Sequence, residues 1–196
     1  MSGQGPSPAD EAAIAHVRAA LADAAAQLAA AGARTEALAE YVPAGRVLLV
    51  PRPERLRPLG SVWRLGVLLL AAPQQSEGPV AADASSGFHE PQLFATGSLT
   101  RSHEPGRATF IAASAERRRQ LGVAAFRGRF PPGTSVNFDA TPLPLDRSLV
   151  GSSGVLSVRE GAAYVRWRTG DPDAVADFDS YLAERVSLLV TPAEGD

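Results

Sequence analysis

Four polar residues of this 196-residue chain could form a hydrolytic site if the fold brought them together. Ser152 and Ser153 lie in a Gly-Ser-Ser-Gly segment, whose glycines allow a tight turn and offer backbone N–H groups to an oxyanion. His103 is a potential base and Asp139 a potential acid, so Asp139, Ser153 and His103 are the catalytic candidates for an amide hydrolase. The Gly-x-Ser-x-Gly motif is absent, however, and this pattern before a strand is typical of a connector.

A second group of polar residues suits ligand binding. Asn137 and Asp139 share one face at the end of a predicted strand, and the proline-broken chain that follows, up to Asp146, is typical of a rim that presents polar side chains. The structural alternative is that both residues cap a turn. Arg166 and Arg168 share a hairpin face, where they either clamp a carboxylate or pair with acidic neighbours across the strands. We predict Asn137, Asp139, Arg166 and Arg168 as ligand-binding residues.

The tripeptide His-Glu-Pro occurs at residues 89–91 and 103–105, and two histidines with two carboxylates are sufficient ligands for zinc or manganese. The two copies bracket one predicted strand, which in extended form would hold them several tens of ångströms apart. His16 falls outside the apolar stripe of its predicted helix and is expected at the surface. The sequence therefore predicts no metal site, and it implies no cofactor.

Two residue types are absent from the sequence. Without cysteine there is no thiolate nucleophile, disulfide or cysteine-ligated metal. All nineteen basic residues are arginine, which excludes Schiff-base chemistry, the P-loop lysine and the serine–lysine pair of serine-dependent amidases.

Charge and hydropathy limit the partners. The net charge is −2, and the arginines at 117–119, 127 and 129 point in different directions on a predicted helix and its exit, so we expect no nucleic-acid binding. The longest apolar run, residues 66–73, is too short for a membrane helix, and the first fifteen residues do not resemble a signal peptide. We predict a cytoplasmic protein with no membrane contact.

Four helices are expected to position these candidates. The first is expected from Pro8 to Ala31, with Ser7 as its cap and Asp10 three residues on. Its apolar stripe either packs within the chain, which we favour, or forms a two-helix seam; the stripe comprises Ile14, Val17, Leu21, Ala24, Leu28 and Ala31. The spacing also predicts a central helix over 114–127, a C-terminal helix over 173–189 and a short helix over 35–42.

Strands are expected at 47–50, 61–72, 93–101 and 134–139, and as a hairpin over 155–168 that turns at Glu160-Gly161. Hairpin-length links dominate, so we predict an α+β fold with a mostly antiparallel sheet of about five to seven strands, covered by N-terminal, central and C-terminal helices. Residues 8–192 are expected to form a single domain, with a disordered N-terminus over 1–7 and a flexible insertion at about 73–90.

Short segments at residues 39–43, 46–51, 95–97, 136–139 and 181–185 carry a family resemblance. They read Ala-Glu-Tyr-Val-Pro, Arg-Val-Leu-Leu-Val-Pro, Ala-Thr-Gly, Val-Asn-Phe-Asp and Tyr-Leu-Ala-Glu-Arg. The chain resembles small uncharacterised α+β proteins of high-GC bacteria, some loosely labelled glutaminase. That label implies amide hydrolysis, but the lysine and cysteine of known glutaminases are missing, so the resemblance transfers no catalytic residue.

The sequence is long enough for a full hydrophobic core but shows no complete set of catalytic residues. The main prediction is therefore a non-catalytic binding or protein-interaction domain. Its partner is an unknown small ligand or protein, and it is expected to be a monomer or weak homodimer. The alternatives are a small amide hydrolase and a protein that self-associates through the N-terminal helix.

Overall fold

A computed structural model describes residues 7–47, 50–73, 91–106, 112–168, 171 and 173–191. These residues form three helices: α1 (Pro8–Ala30), α2 (Ala113–Arg127) and α3 (Phe178–Val190). The first six strands are β1 (Glu36–Val42), β2 (Gly45–Val47), β3 (Val50–Arg52), β4 (Arg55–Leu65), β5 (Leu68–Ala71) and β6 (Leu93–Ala95). The other six are β7 (Ser98–Arg101), β8 (Ser135–Phe138), β9 (Thr141–Pro142), β10 (Leu156–Arg159), β11 (Ala162–Arg166) and β12 (Val175–Asp177).

The strands form sheets of seven, three and two strands, which with the three helices confirms the predicted α+β class. The seven-stranded sheet has the order β7-β8-β1-β4-β5-β6-β9, and the others are β10-β11-β12 and β2-β3. The large sheet is mixed rather than mostly antiparallel, because β8 pairs parallel to β1. Strand β8 pairs antiparallel with β7, to which α2 joins it, and lies parallel to β1 on its other edge. Strands β1 and β8 are far apart in the chain, so no hairpin fixes their relative direction.

The chain divides into two compact units. Unit 1 comprises Met1–Arg34, Trp63–Ala95 and Pro142–Asp196, and unit 2 comprises Thr35–Val62 and Thr96–Thr141. The core of unit 1 combines α1 and α3 with β5, β10 and β11. The core of unit 2 is smaller and contains residues of β1, β4, α2 and β8. The predictions of a disordered residue 1–7 segment and a flexible 73–90 insertion fall outside the described residues, except at Ser7 and Pro73.

Helix α1 begins as predicted. Ser7 Oγ accepts a hydrogen bond from Asp10 N at 3.2 Å, and the Asp10 carboxylate accepts one from Ser7 N at 3.1 Å, which completes a capping box. Asp10 also accepts from Gly161 N, in the turn between β10 and β11, at 3.0 Å. The predicted stripe is buried within unit 1 from Ile14 to Leu28, so this apolar surface is used inside the chain.

Tyr181 of α3 holds the turn between β4 and β5. Its hydroxyl donates to Leu65 O at 3.0 Å and accepts from Val67 N at 2.9 Å. Between these residues Gly66 has φ +66°, a conformation that favours glycine, and a Cβ there would collide with the Tyr181 hydroxyl. The predicted single strand over 61–72 is therefore wrong: the chain reverses at Gly66.

The predicted helix over 35–42 is also wrong, because this segment is β1. Its alanines, leucine and glutamates favour a helix. In the fold β1 instead bonds to β4 along one edge and to β8 along the other, and two ladders outweigh a weak local preference.

Three smaller boundaries differ. The strand expected at 47–50 is divided between β2 and β3, and Val50 is 65% exposed rather than buried; residues 48 and 49 lie outside the described part. Helix α2 begins at Ala113, one residue before the predicted start, and has no side-chain cap. The C-terminal helix begins only at Phe178, after β12, and Asp177 caps it by accepting from Ser180 N.

We expect Tyr181→Phe to lower the free energy of unfolding by about 1–3 kcal/mol, because it leaves Leu65 O and Val67 N without their shared partner. Urea denaturation measures this. Tyr164→Phe is the matched control, since the Tyr164 hydroxyl has no hydrogen bond within the described residues, and it should cost less than about 0.5 kcal/mol. Equal costs for the two variants would contradict the assigned role.

We expect Ser7→Ala to cost about 1 kcal/mol near pH 7 through loss of the cap. The pKa of Asp10 lies below its ordinary value of 3.8 because Ser7 and Gly161 donate to the carboxylate. The stability that depends on ionised Asp10 is therefore present above about pH 4 and is lost as pH falls through the lowered pKa.

The difference between wild type and Ser7→Ala should accordingly narrow below pH 4, measured by urea unfolding at several pH values. Ser153→Ala, an exposed serine in the same unit, serves as control and should leave stability unchanged at every pH. A Ser7→Ala cost that stays constant down to pH 2 would contradict the coupling between the cap and Asp10.

Candidate functional site

Unit 1 contains an open cleft of about 640 Å³. Helix α1 contributes Arg18, residues 91–94 contribute one wall, and residues 142–146 contribute the other. The walls are mainly apolar, with Phe94, Leu143 and Leu145 among the side chains that line them. This combination of a concave apolar surface with few polar groups is typical of a small-ligand site.

The sequence Pro142-Leu143-Pro144-Leu145 determines the shape of the second wall. Each proline fixes its φ angle and removes a backbone donor, so the segment cannot form a helix and stays extended. Leu143 N donates to Leu93 O at 2.9 Å, which attaches this wall to β6. Leu143 and Leu145 also pack against the core of unit 1. The wall is therefore held in place before any ligand arrives.

Arg18 is the basic residue of the cleft. It follows the buried Val17 on α1 and is itself half-buried. Within the described residues its side chain makes no hydrogen bond or ion pair, and its Nε is a buried donor without a partner. The Nε atoms of Arg55, Arg166 and Arg185 are also buried donors without a partner, so what distinguishes Arg18 is its place in the lining of the cleft.

A second cavity of about 480 Å³ adjoins the first, because Arg18 and Asp146 line both. Glu11, Ile14 and Arg147 complete its lining. Asp146 Oδ1 accepts from Ser148 N at 2.8 Å and caps the short 3₁₀ helix Arg147–Leu149. That hydrogen bond, followed by the charges of Arg147 and Arg18, lowers the pKa of Asp146, so its carboxylate is ionised beside the cleft.

The predicted catalytic residues have separate surroundings. Asp139 and His103 belong to unit 2, while Ser153 belongs to unit 1. Asp139 is exposed just after β8, with φ +54°. The His103 ring lies against Gly122, with Nδ1 3.0 Å from Glu104 O. No hydrogen bond within the described residues joins any two of the three, so the proposed trio stays a prediction without geometric support.

The predicted ligand-binding residues are engaged internally. Asn137 is buried at 1% exposure, and its Nδ2 donates to Glu36 Oε2 at 2.7 Å and to Ala37 O at 3.2 Å. These bonds link β8 to β1 rather than face a rim.

Arg166 and Arg168 both contact Asp171. Arg166 Nη1 donates to Asp171 O at 3.2 Å, and Arg168 Nη1 lies 3.9 Å from Asp171 Oδ2. Arg168 also stacks over Trp167, with its guanidinium carbon 5.0 Å from the ring centroid. Both arginines therefore contact an acidic residue of the same chain. This resembles the second alternative given above, pairing with acidic neighbours, more than the binding of a ligand carboxylate.

Unit 2 contains a polar cluster that the sequence did not reveal. Tyr41 donates to Glu54 Oε2 at 2.6 Å, and Arg117 donates to the same oxygen at 2.8 Å and to the Tyr41 hydroxyl at 3.1 Å. Burial raises the pKa of Glu54, but the hydrogen bonds from Tyr41 and Arg117 outweigh it, so the pKa is lowered. Every member is satisfied by another, which indicates a structural link between α2 and β1.

The described histidines do not belong to a metal-binding cluster. His16 Nε2 lies 2.8 Å from Asp179 Oδ1, an exposed pair between α1 and α3. Among the described residues no three histidine or carboxylate side chains are placed to hold a metal ion. His89 and Glu90, of the first His-Glu-Pro copy, lie outside the described residues.

Comparison with protein-family models, with curated proteins and with solved structures finds no match to this chain. The resemblance at residues 39–43 and the other segments therefore stays a prediction. In the part of the chain that the structure describes, no helix is both long and apolar enough to cross a membrane.

We expect Asn137→Ala to lower the free energy of unfolding by about 1–3 kcal/mol, because it removes two hydrogen bonds from a buried site. Urea denaturation measures the loss. Asp139→Gly is the control two residues away; glycine adopts the positive φ of this position readily, so stability should be unchanged or slightly higher. An Asn137→Ala protein as stable as wild type would contradict the structural role.

Proposed function

We propose that this protein is a non-catalytic binding protein and that its ligand occupies the cleft of unit 1. The observation that carries the proposal is a mainly apolar cleft of about 640 Å³ lined by the half-buried guanidinium of Arg18, which has no hydrogen bond or ion pair within the described residues. A volume of this size falls within the range of small-ligand sites, about 300–1,000 Å³.

The residues that line the cleft favour binding over reaction. The described residues of the lining include no serine, histidine or tyrosine, so they offer no hydroxyl nucleophile and no imidazole base. The one carboxylate among them, Asp146, has a lowered pKa and accepts from Ser148 N, which makes it a weak general base. These properties support recognition rather than amide hydrolysis.

Other parts of the proposal come from the sequence. We infer a cytoplasmic protein of a high-GC bacterium that binds a small ligand and does not bind nucleic acid. A monomer fits the burial of the α1 stripe within the chain, since that surface is already covered. In unit 2, Arg117 and Arg119 pair with Glu54 and Glu116, which leaves fewer cations for phosphate contacts.

The proposal predicts that 4-phenylbutanamide and 4-phenylbutyrate shift the backbone amide NMR signals of the non-proline residues of the lining: Gln92, Leu93, Phe94, Leu143, Leu145 and Asp146. Phe94→Ala should lower the affinity for both probes by about tenfold, because the aromatic side chain in the wall of the cleft is lost. Leu188→Ala, which truncates an exposed leucine of α3 in the same unit, should leave both affinities unchanged.

Two results would overturn the proposal. One is that neither probe shifts these signals at millimolar concentration. The other is release of ammonia from L-glutamine or 4-phenylbutanamide by the purified protein, at a rate that Ser153→Ala and Asp139→Ala abolish; that result would establish the hydrolase instead.

A further inference from the structure

The guanidinium of Arg18 differs in its contacts from those of Arg166 and Arg168, two other arginines of unit 1. The Nε of Arg166 is also a buried donor without a partner, but Arg166 Nη1 donates to Asp171 O and Arg168 Nη1 lies 3.9 Å from Asp171 Oδ2. The Arg18 guanidinium has no hydrogen bond or ion pair within the described residues. Its position on α1 is fixed, because Val17 and Leu21 on the same helix are fully buried. Arg18 is thus a half-buried arginine on a fixed helix, and its donors have no acceptor among the described residues. Such a guanidinium suits an anionic ligand group.

The nearby carboxylate does not satisfy Arg18. Asp146 Oδ1 is committed to Ser148 N, and no ion pair joins Asp146 to Arg18 within 4.0 Å. Asp146 still lowers the positive potential at the cleft, and Glu11 lines the adjoining cavity. Arg147 also lines that cavity, so two carboxylates stand beside two cations and the linings carry no excess positive charge. This balance disfavours a phosphate dianion more than a single negative charge.

The geometry of arginine adds to this preference. A planar guanidinium donates two parallel hydrogen bonds to the two oxygens of a carboxylate. The remainder of the ligand would then lie along Phe94, Leu143 and Leu145, where an apolar body replaces water.

We infer that the cleft binds carboxylates that carry an apolar body, with Arg18 as the anchor for the carboxylate. The inference rests on the proposed binding function and specifies its ligand class. Two sources share this chemistry: a small apolar carboxylic acid and the free carboxy-terminus of an apolar peptide.

Isothermal titration of the full chain with 4-phenylbutyrate and 4-phenylbutanamide tests the anchor, because the two probes differ only at the charged group. Wild type should bind the acid about tenfold more tightly than the amide. Arg18→Gln should remove most of this difference by weakening the binding of the acid more than the binding of the amide. Arg159→Gln, an exposed arginine on β10 in the same unit, should keep the tenfold preference.

Asp146→Asn tests the charge argument. We expect it to tighten acid binding several-fold, because a repelling carboxylate is removed, and to change the affinity for the uncharged amide by a smaller factor. Weaker acid binding in this variant would contradict the argument that Asp146 opposes the ligand.

The tripeptide Ala-Val-Leu with a free or an amidated carboxy-terminus distinguishes the two sources. A free tripeptide that binds more tightly than 4-phenylbutyrate assigns the site to peptide termini, and the reverse order assigns it to small acids. Equal wild-type affinity for acid and amide, localised to the cleft, would overturn the carboxylate inference while the binding function stands. No binding by any probe would overturn the binding function itself.

Discussion

The Asp10 carboxylate fixes the helix on which the cleft depends. It completes the capping box with Ser7 and accepts a hydrogen bond from Gly161 in the turn between β10 and β11. One side chain thus sets both where α1 begins and where it lies on the hairpin. The buried residues that follow along α1 fix the rotation of the helix, and this rotation directs Arg18 toward the cleft. The geometry of the proposed site is therefore a consequence of the helix start.

Local rules predicted those elements whose ends carry their own signals. Ser7, Pro8 and Asp10 define the beginning of α1, and the Glu160-Gly161 turn, with φ values of +52° and +75°, defines the hairpin between β10 and β11. Such signals need no distant partner, because caps and two-residue turns are formed by residues next to each other. The α+β class followed from these elements.

The failures occurred where distant partners decide the outcome. Strand β1 has a helical composition, and only its ladders with β4 and β8 make it a strand. The sequence predicts Asn137 at a rim, but in the fold its partners are Glu36 and Ala37 O of β1. Because residues 35–42 are predicted as a helix, the sequence does not indicate that they lie beside Asn137. Arg18 carried no signal in the sequence, since an arginine beside an apolar stripe is ordinarily a solvated residue. The Pro142–Leu145 segment is predictable as a break in regular structure. Its role as a wall of the cleft depends on the hydrogen bond from Leu143 N to Leu93 O of β6, which the sequence does not indicate.

The pairing of Asp10 with Gly161 also has a consequence for biosynthesis. The two residues are 151 positions apart in the chain. At a translation rate of about 5–20 residues per second, roughly 8–30 s pass before the partner of the first helix leaves the ribosome. During that interval the nascent chain exposes Val17, Leu21 and Leu28 without the hairpin or α3 to cover them. The apolar stripe of the amino-terminal helix therefore reaches its buried position only after most of the chain has been synthesised.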